Sequence, residues 1–510
     1  MTNDFEMQLL AKSSRELMQS AFVALLELAT EITGRSPETN RYWTISRFFL
    51  MHFCDQFVFQ ESCGSSINAF EGVAAFQVPR WTSAEPIVAK QRLSAIRFAL
   101  SDLDDPVSVS LLPAGGRHKK TRRSRLVSMI GSSSAPILIA DPYLKFGIRS
   151  EILAATRCRN LFKWIPIPPA SLDLSLPESL SRERIVHRYS GKQDREGVLR
   201  KAIALSAPTE LVEDLQPIEQ TLSRQLSPYS GILYTANAFQ KSPAIRHWVA
   251  ESLHRGARLV THQHGGGYGI DRYHLGEDHD IQVSDAFYTW GWEHPDFGHK
   301  VRSLPTAFPS RFAGKRTGDY LLFSLPITGH VYRLQAFLMP SHIERSVSET
   351  VSMINGLSSE TRLRVRSSGT DGFPSEALSR ATATITLDDL QENGPMAASR
   401  AILVIHNYLG TSWLETLAMN VPTVCFYDPE IYTPREAAQP FVDALAKVGV
   451  IHYSGIEAAK FVNGLNGDPS AWWQSAEVQE AREAFVARYA NFSENWLPAW
   501  IEEFERLLAE

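Results

Sequence analysis

Cysteine is scarce in this chain: four in 510 residues, at Cys54, Cys63, Cys158 and Cys425, with no CxxC pair among them. That density excludes a disulfide framework, the Cys54/Cys63 spacing fits no common zinc pattern, and a reducing compartment is expected. Excess charge is also lacking. Fifty-one Lys and Arg against 56 Asp and Glu leave a formal net charge of −5, which argues against a dedicated nucleic-acid binder with its basic face. No apolar run approaches the roughly 18 residues needed to cross a bilayer; Phe22–Leu28 and Phe48–Phe53 read as core helix. The first residues, Met1-Thr-Asn-Asp-Phe-Glu6, are acidic where a signal peptide is basic. The expected location is cytoplasmic. With 30 Gly and 28 Pro, collagen-like and wholly disordered chains are excluded.

At about 150 residues per domain, the length suggests about three domains, or two large ones. Residues 1–130 read as a helical and mixed extension, with Phe22, Leu25, Leu26 and Ala29 on a helical period. The extension ends in a basic run, Arg117–Arg125, in which six of nine residues are Lys or Arg. Such a run is ordinarily a solvated loop; the alternative is contact with anionic lipid at the inner membrane face or with a substrate phosphate. From residue 131 the texture changes to short apolar runs alternating with helical stretches. Ala135–Ala140, closed by Asp141-Pro142, Gly231–Thr235, Ala257–Thr261 and Ala286–Trp290 read as strands, and Ala244–His254 as a helix. This pattern predicts a parallel α/β domain over 131–305. Residues 306–318 read as a linker. A second α/β domain over 319–475 follows, with strands at Asp319–Leu325, Arg362–Arg366, Ala401–His406 and Thr423–Tyr427. Helices at about 330–355 and 412–419 fit between them, and residues 476–510 form a helical tail expected to pack back on the first domain.

The densest motif is Thr261-His-Gln-His-Gly-Gly-Gly-Tyr-Gly269, directly after a predicted strand. Ligands of parallel sheets bind at the carboxyl ends of strands. Gly265, Gly266 and Gly267 let backbone N–H groups approach an anion closely. His264 can serve as general acid or base, because a histidine's ordinary pKa lies near 6.5. His262, two residues earlier, shares its strand face and is a second ligand or metal candidate, although no third metal ligand stands at conventional spacing. The plain alternative is a flexible loop with incidental histidines. Four acids follow between Gly276 and Asp285. Most read as solvated, but Glu277 and Asp285 border the loop and the next strand, and either could orient His264 or act in its place. Trp290 and Trp292 read as core rather than as a ligand platform.

The second motif runs Ala401-Ile-Leu-Val-Ile-His-Asn-Tyr-Leu-Gly410 and then Thr411-Ser-Trp-Leu-Glu415. It reads as strand, loop and helix. Ser412 and Glu415 have the spacing of a capping box, which places a helix N-terminus near 412, where free N–H groups favour phosphate. Asn407, Thr411, Ser412 and Glu415 are therefore candidate donor-site residues, Glu415 for ribose hydroxyls, with simple helix capping as the alternative. Arg364 and Arg366 could supply counter-charge, or could lie on a solvated edge strand.

Two α/β domains with a His-Gly loop in the first and a Thr-Ser-x-x-Glu helix start in the second resemble the GT-B glycosyltransferase fold. More narrowly, four segments resemble a bacterial family of surface-carbohydrate transferases. They are Gln263–Gly269, Ser284-Asp285 with Thr289-Trp-Gly-Trp292, Thr411–Thr423, and Phe485–Trp496 continuing to Trp500. They are distantly similar to capsule (Kdo-type) and teichoic-acid transferases, which use cytidine-nucleotide donors. The resemblance implies a glycosyltransferase that moves a sugar, such as a Kdo-type or nonulosonic acid from a CMP donor. The acceptor would be a surface glycan, lipid-linked or protein. By this likeness His264 matches the catalytic histidine, and Thr411, Ser412 and Glu415 the donor site. No metal or other cofactor is implied. The triple glycine and Trp-Gly-Trp depart from the polyol-phosphate transferases, so a CDP-polyol reaction ranks behind sugar transfer. A nucleotide-sugar epimerase or hydrolase of the same fold, and a degenerate nucleotide- or glycan-binding module, are the other readings.

Overall fold

The computed structural model describes residues 3–62, 75–78, 86–101, 108–111, 135–140, 161–164, 180–192, 194–307, 318–325, 334, 340–367 and 384–510. The basic run Arg117–Arg125 and the Asp141-Pro142 turn lie outside the described residues.

The chain opens with three helices, α1 (Asn3–Thr33), α2 (Thr39–Ser62) and α3 (Pro86–Leu100), and a parallel pair, β1 (Ala75–Val78) with β2 (Ser108–Leu111). β3 (Ile137–Ile139) and β4 (Phe162–Trp164) begin the first large sheet. Helices α4 (Leu180–Arg188) and α5 (Arg195–Ser206) then join α1–α3 in one apolar cluster centred on Leu25, Phe49, Phe53, Ile96 and Ile203. The helices of the N-terminal extension thus share one core with α4 and α5, which follow β4 in the chain.

After α6 (Leu215–Gln225) come β5 (Ile232–Thr235), α7 (Ala238–Lys241), α8 (Pro243–His254), β6 (Arg258–His262), α9 (Leu275–Val283), β7 (Ala286–Thr289), β8 (Val301–Ser303) and β9 (Thr306–Ala307). The first large sheet has the order β4-β3-β5-β6-β7-β8, parallel throughout. Its strands are apolar on both faces because helices cover both. Leu233 and Leu259 pack under Phe239, Ile245 and Trp248 of α7 and α8. The alternate residues Ile232, Tyr234 and Val260 face the end of the chain.

The second sheet contains β10 (Tyr320–Ser324), β11 (Arg362–Ser367), β12 (Thr384–Leu387), β13 (Leu403–His406), β14 (Thr423–Phe426) and β15 (Ile451–His452). Its order, β12-β11-β10-β13-β14-β15, is the 3-2-1-4-5-6 of a dinucleotide-binding fold, with every pair parallel. The helices between and after these strands are α10 (Pro340–Gly356), α11 (Gly394–Arg400), α12 (Thr411–Ala418), α13 (Gln439–Lys447), α14 (Gly455–Gly464) and α15 (Ser470–Trp473). The expected two Rossmann-like α/β domains of the GT-B architecture are therefore present.

The tail does two things. α16 (Ala476–Tyr489) stays on the second domain, whereas β16 (Phe492–Ser493) pairs with β9, and α17 (Trp496–Ala509) lies on the first sheet. There Trp496, Trp500, Phe504 and Leu507 cover Ile137, Phe162, Tyr234 and Val260. The expected linker at 306–318 carries a short strand at its start. Thr306 and Ala307 form a strand because Phe492 and Ser493 arrive to pair with them, a partner nearly 200 residues away that local reading cannot see. No helix among the described residues is long and apolar enough to cross a membrane.

Candidate active site

β6 ends at His262, and the glycine loop follows at its carboxyl end. Gln263 is fully buried and ties its own loop to the segment after β7. Its Oε1 accepts from Trp290 N and Trp292 Nε1, both at 2.9 Å, and its Nε2 donates to Gly265 O at 3.0 Å. Trp290 and Trp292 are core residues, 7% and 1% exposed. Gly267 and Gly269 adopt φ of +89° and +73°, where L side chains are strained. A Cβ on Gly269 would also stand 2.4 Å from Trp292. Two of the four glycines are thus set by backbone and packing.

His264 remains partly open, its side chain 17% exposed. Its Nδ1 lies 3.2 Å from the Tyr268 hydroxyl and 3.9 Å from Asp280 Oδ2. Tyr268 donates to Asp280 Oδ2 at 2.9 Å, and Gln240 Nε2 donates to Oδ1 at 2.6 Å. Asp280 is fully buried. Burial pushes its carboxyl well above the usual range, and the Tyr268 and Gln240 hydrogen bonds oppose this.

Several expected site residues have other tasks. His262 is 3% exposed, stacks on Tyr234 with its Nδ1 2.7 Å from the Tyr234 hydroxyl, and meets Trp500 edge-on. Burial lowers its pKa to about 3, so it is a neutral core histidine, turned toward α17 rather than toward ligand. Asp285 is also corrected. It stands at the amino end of β7, where its carboxylate accepts from Leu259 N at 2.7 Å, at the opposite end of the sheet from the glycine loop.

Glu277 does not orient His264. Its Oε2 accepts from Gly269 N at 2.7 Å, and both oxygens accept from Arg435 Nη2 of the second domain, at 2.8 and 3.0 Å. Burial pushes Glu277 up to about 7, against Arg435 and the Gly269 N–H. It is a strut between domains. Around it, Arg435 N donates to Ile270 O at 2.8 Å, its guanidinium donates to Asp271 O, and Tyr432 donates to Asp271 Oδ1 at 2.5 Å. The guanidinium also lies 5.6 Å from the centre of the Trp292 ring.

In the second domain, α12 begins at Thr411 with Gly410 as its cap, and no side chain caps it. The expected capping box is not formed, because Ser412 already lies inside the helix and Glu415 is beyond the third position. Residues 411–413 therefore start the helix without a side-chain lid. The two domains touch here: Gly266 N donates to Thr411 Oγ1 at 2.7 Å. Ser412 Oγ is 3.4 Å from the Tyr408 hydroxyl. Asn407 lies where β10 and β13 part, the switch point at which such sheets bind ligands. Its Oδ1 accepts from Leu325 N at 2.8 Å, and its Nδ2 donates to Thr350 Oγ1 at 3.1 Å. It positions the chain that leaves β10. Arg364 and Arg366 both lie against Asp388, at 3.4 and 2.6 Å.

The structure thus brings together His264, Gly265, Gly266, Gly267, Thr411 and Ser412 across the domain boundary. It adds Tyr268, Asp280, Gln240 and Arg435. A signal for Asp280 was present: Glu277 and Asp280 are three apart, so one helix face carries both. Among the described residues no group of three His, Cys, Asp or Glu is placed to hold a metal ion.

Among solved structures, the chain is similar to an O-GlcNAc transferase variant from Thermobaculum terrenum. The identity is 12% over 99% of this chain and 98% of that one, with a TM-score of 0.35. It is also similar to a glycosyltransferase from Rickettsia africae (10%; 86% and 99% covered; TM-score 0.36). MurG from Acinetobacter baumannii is a third (11%; 85% and 100% covered; TM-score 0.33). The fold assignment rests on the strand order of the two sheets. No curated protein sequence matches. A family model, that of the LIC12162 family transferases, matches residues 108–504, which span both sheets and most of the tail. The chain belongs to the LIC12162 family of transferases.

Proposed function

We propose that this transferase is a glycosyltransferase. It moves a sugar of the Kdo or nonulosonic class from a CMP-linked donor to a surface glycan, lipid-linked or protein acceptor. The observation that carries the reading is the juxtaposition of His264 with the start of α12, one from each domain, joined by the Gly266–Thr411 hydrogen bond. His264 takes the proton of the acceptor hydroxyl as its oxygen bonds to the anomeric carbon. The bond from that carbon to the donor phosphate breaks, and its electron pair leaves with the phosphate. The N–H groups and positive dipole end of α12 stabilise that charge. Donor entry parts Gly266 from Thr411, and closure restores a water-excluding contact.

His264→Ala is expected to lower turnover by about 10²–10⁴-fold, the usual contribution of a general base, with nucleotide affinity unchanged. Thermal-shift titration with CMP, CDP, UDP and GDP tests the donor class. Stabilisation by cytidine nucleotides supports the CMP reading, and stabilisation by UDP alone overturns it. Wild-type turnover in His264→Ala removes the histidine from the mechanism.

A further inference from the structure

The glycine loop meets the second domain twice, and the two meetings differ in kind. At Gly266 there is one neutral hydrogen bond, to Thr411 Oγ1 at 2.7 Å. At Ile270 and Asp271 the chain is bridged. Asp271 pairs antiparallel with Pro434, and Arg435 N donates to Ile270 O at 2.8 Å. The Arg435 guanidinium holds both Asp271 O and the Glu277 carboxylate. The boundary is closed elsewhere too. Trp292, Trp413, Leu417 and Phe485 belong to the apolar cluster that crosses it, and each is at most 1% exposed. A Cβ on Gly291 would stand 2.4 Å from Ala487 O of α16, and Asn491 N donates to Trp290 O at 3.0 Å. A boundary this apolar resists the domain motion that polar ones allow. Parting it would wet those side chains, whereas parting Gly266 from Thr411 breaks a single neutral bond.

Between the two meetings the chain has its joint. Gly265, Gly266 and Gly267 carry no side chain, and Gly267 sits at φ +89°, where glycine alone is unstrained. Beyond it the turn is closed: Ile270 N and Asp271 N both donate to Gly267 O, at 2.9 and 2.7 Å. Resting on the reading of α12 as the donor-phosphate site, we propose that donor entry opens the glycine loop and not the two domains. Gly265–Gly267 lifts from the start of α12 while Asp271, Pro434, Arg435 and Glu277 keep the boundary shut. The bond that breaks frees the Gly266 N–H and the Thr411 hydroxyl, and both can donate to a phosphate oxygen. Arg435 and Glu277 are positioning residues, which hold the fixed end of the loop that begins at His264.

Hydrogen exchange of the full wild-type chain, with and without CMP, tests this. The Arg435 amide is expected to exchange slowly in both conditions, and CMP is expected to change exchange across Gly265–Gly267. Fast exchange of the Arg435 amide without nucleotide overturns the proposal. So does CMP binding that slows that amide or leaves Gly265–Gly267 unchanged. A covalent lock gives a second measurement. Antiparallel partners stand about 4.5–5.5 Å apart at Cα, within the span of a disulfide, so Asp271→Cys with Pro434→Cys can be oxidised across the boundary. CMP affinity should be the same in the oxidised and reduced forms; affinity lost on oxidation and regained on reduction overturns the proposal. The donor reading is judged separately. A wild-type chain that CMP does not stabilise fails that reading, whereas CMP binding with a parted bridge fails this inference alone.

Discussion

Glu277 carries the clearest pH signature of any residue at the domain boundary. Its pKa is raised from the ordinary 4.5 to about 7, so between those values the folded chain binds a proton that the unfolded chain has released. Stability contributed by this group is fully present below about 4.5 and is lost as pH rises toward 7, with a slope of at most about 1.4 kcal/mol per pH unit. Glu277→Gln is expected to flatten that part of the stability profile, measured by urea unfolding at pH 5, 6 and 7. A mutant profile parallel to the wild type would show that Glu277 does not titrate in this window. Residues were unevenly legible in the sequence. His264 was visible because it stands between a strand end and three glycines, where the backbone is bare enough for a ligand to approach. Glu277 and Asp285 adjoin the loop along the chain, but adjacency is not proximity: Asp285 stands just before the next strand, at the far end of the sheet. Arg435 could not be found at all, since 158 residues separate it from its carboxylate.

At the scale of elements, the glycine loop and α12 are fitted to each other backbone to backbone. A Cβ on Gly266 would lie 2.4 Å from Thr411 N and 2.5 Å from the Gly410 carbonyl carbon, distances that real contacts do not reach. Gly266→Ala must therefore push the domains apart at this point, whereas Gly265→Ala meets only the Thr411 hydroxyl at 3.4 Å. Expected outcomes are a loss of about 1–3 kcal/mol, typical of overpacking, and weakened nucleotide binding for Gly266→Ala, with little change for Gly265→Ala. Thermal melts with and without CMP check both. Central strands were legible because they are continuous apolar runs, such as Leu403–His406. The short edges β8 (Val301–Ser303) and β15 (Ile451–His452) were not. Two or three residues with a polar member carry no period, and only a neighbouring strand makes them extended.

For the whole molecule, the domain boundary is held by one apolar cluster that runs from Tyr268, Phe287 and Trp292 to Trp413, Leu417 and Phe485. Arg435 sits at its rim and stands against Glu277 and Trp292. Leaving buried acceptors without their hydrogen-bond donor costs about 1–3 kcal/mol. Arg435→Ala should fall in that range, and Glu277→Gln in the same chain should change the cost, because the two side chains share their hydrogen bonds. Additive effects in that double-mutant cycle would exclude coupling across the boundary. The N-terminal module also reaches both halves. Asp55 of α2 accepts from Ser14 Oγ at 2.7 Å and from Leu334 N of the second domain at 3.2 Å. Its helices were legible from their period. Its role as a brace was not, because Leu334, whose amide meets Asp55, stands far along the chain.

The position of α17 sets a schedule for synthesis. The apolar face of the first sheet is complete once Ser303 has emerged, yet the side chains that cover it begin at Trp496. At roughly 5–20 residues per second, that face stays bare on the ribosome for roughly 10–40 s while the entire second domain is made. During that interval the nascent chain is expected to expose this apolar face of the first sheet. A ribosome stalled before residue 496 would carry a first domain that is sticky, although nearly all of its own sequence is already in place.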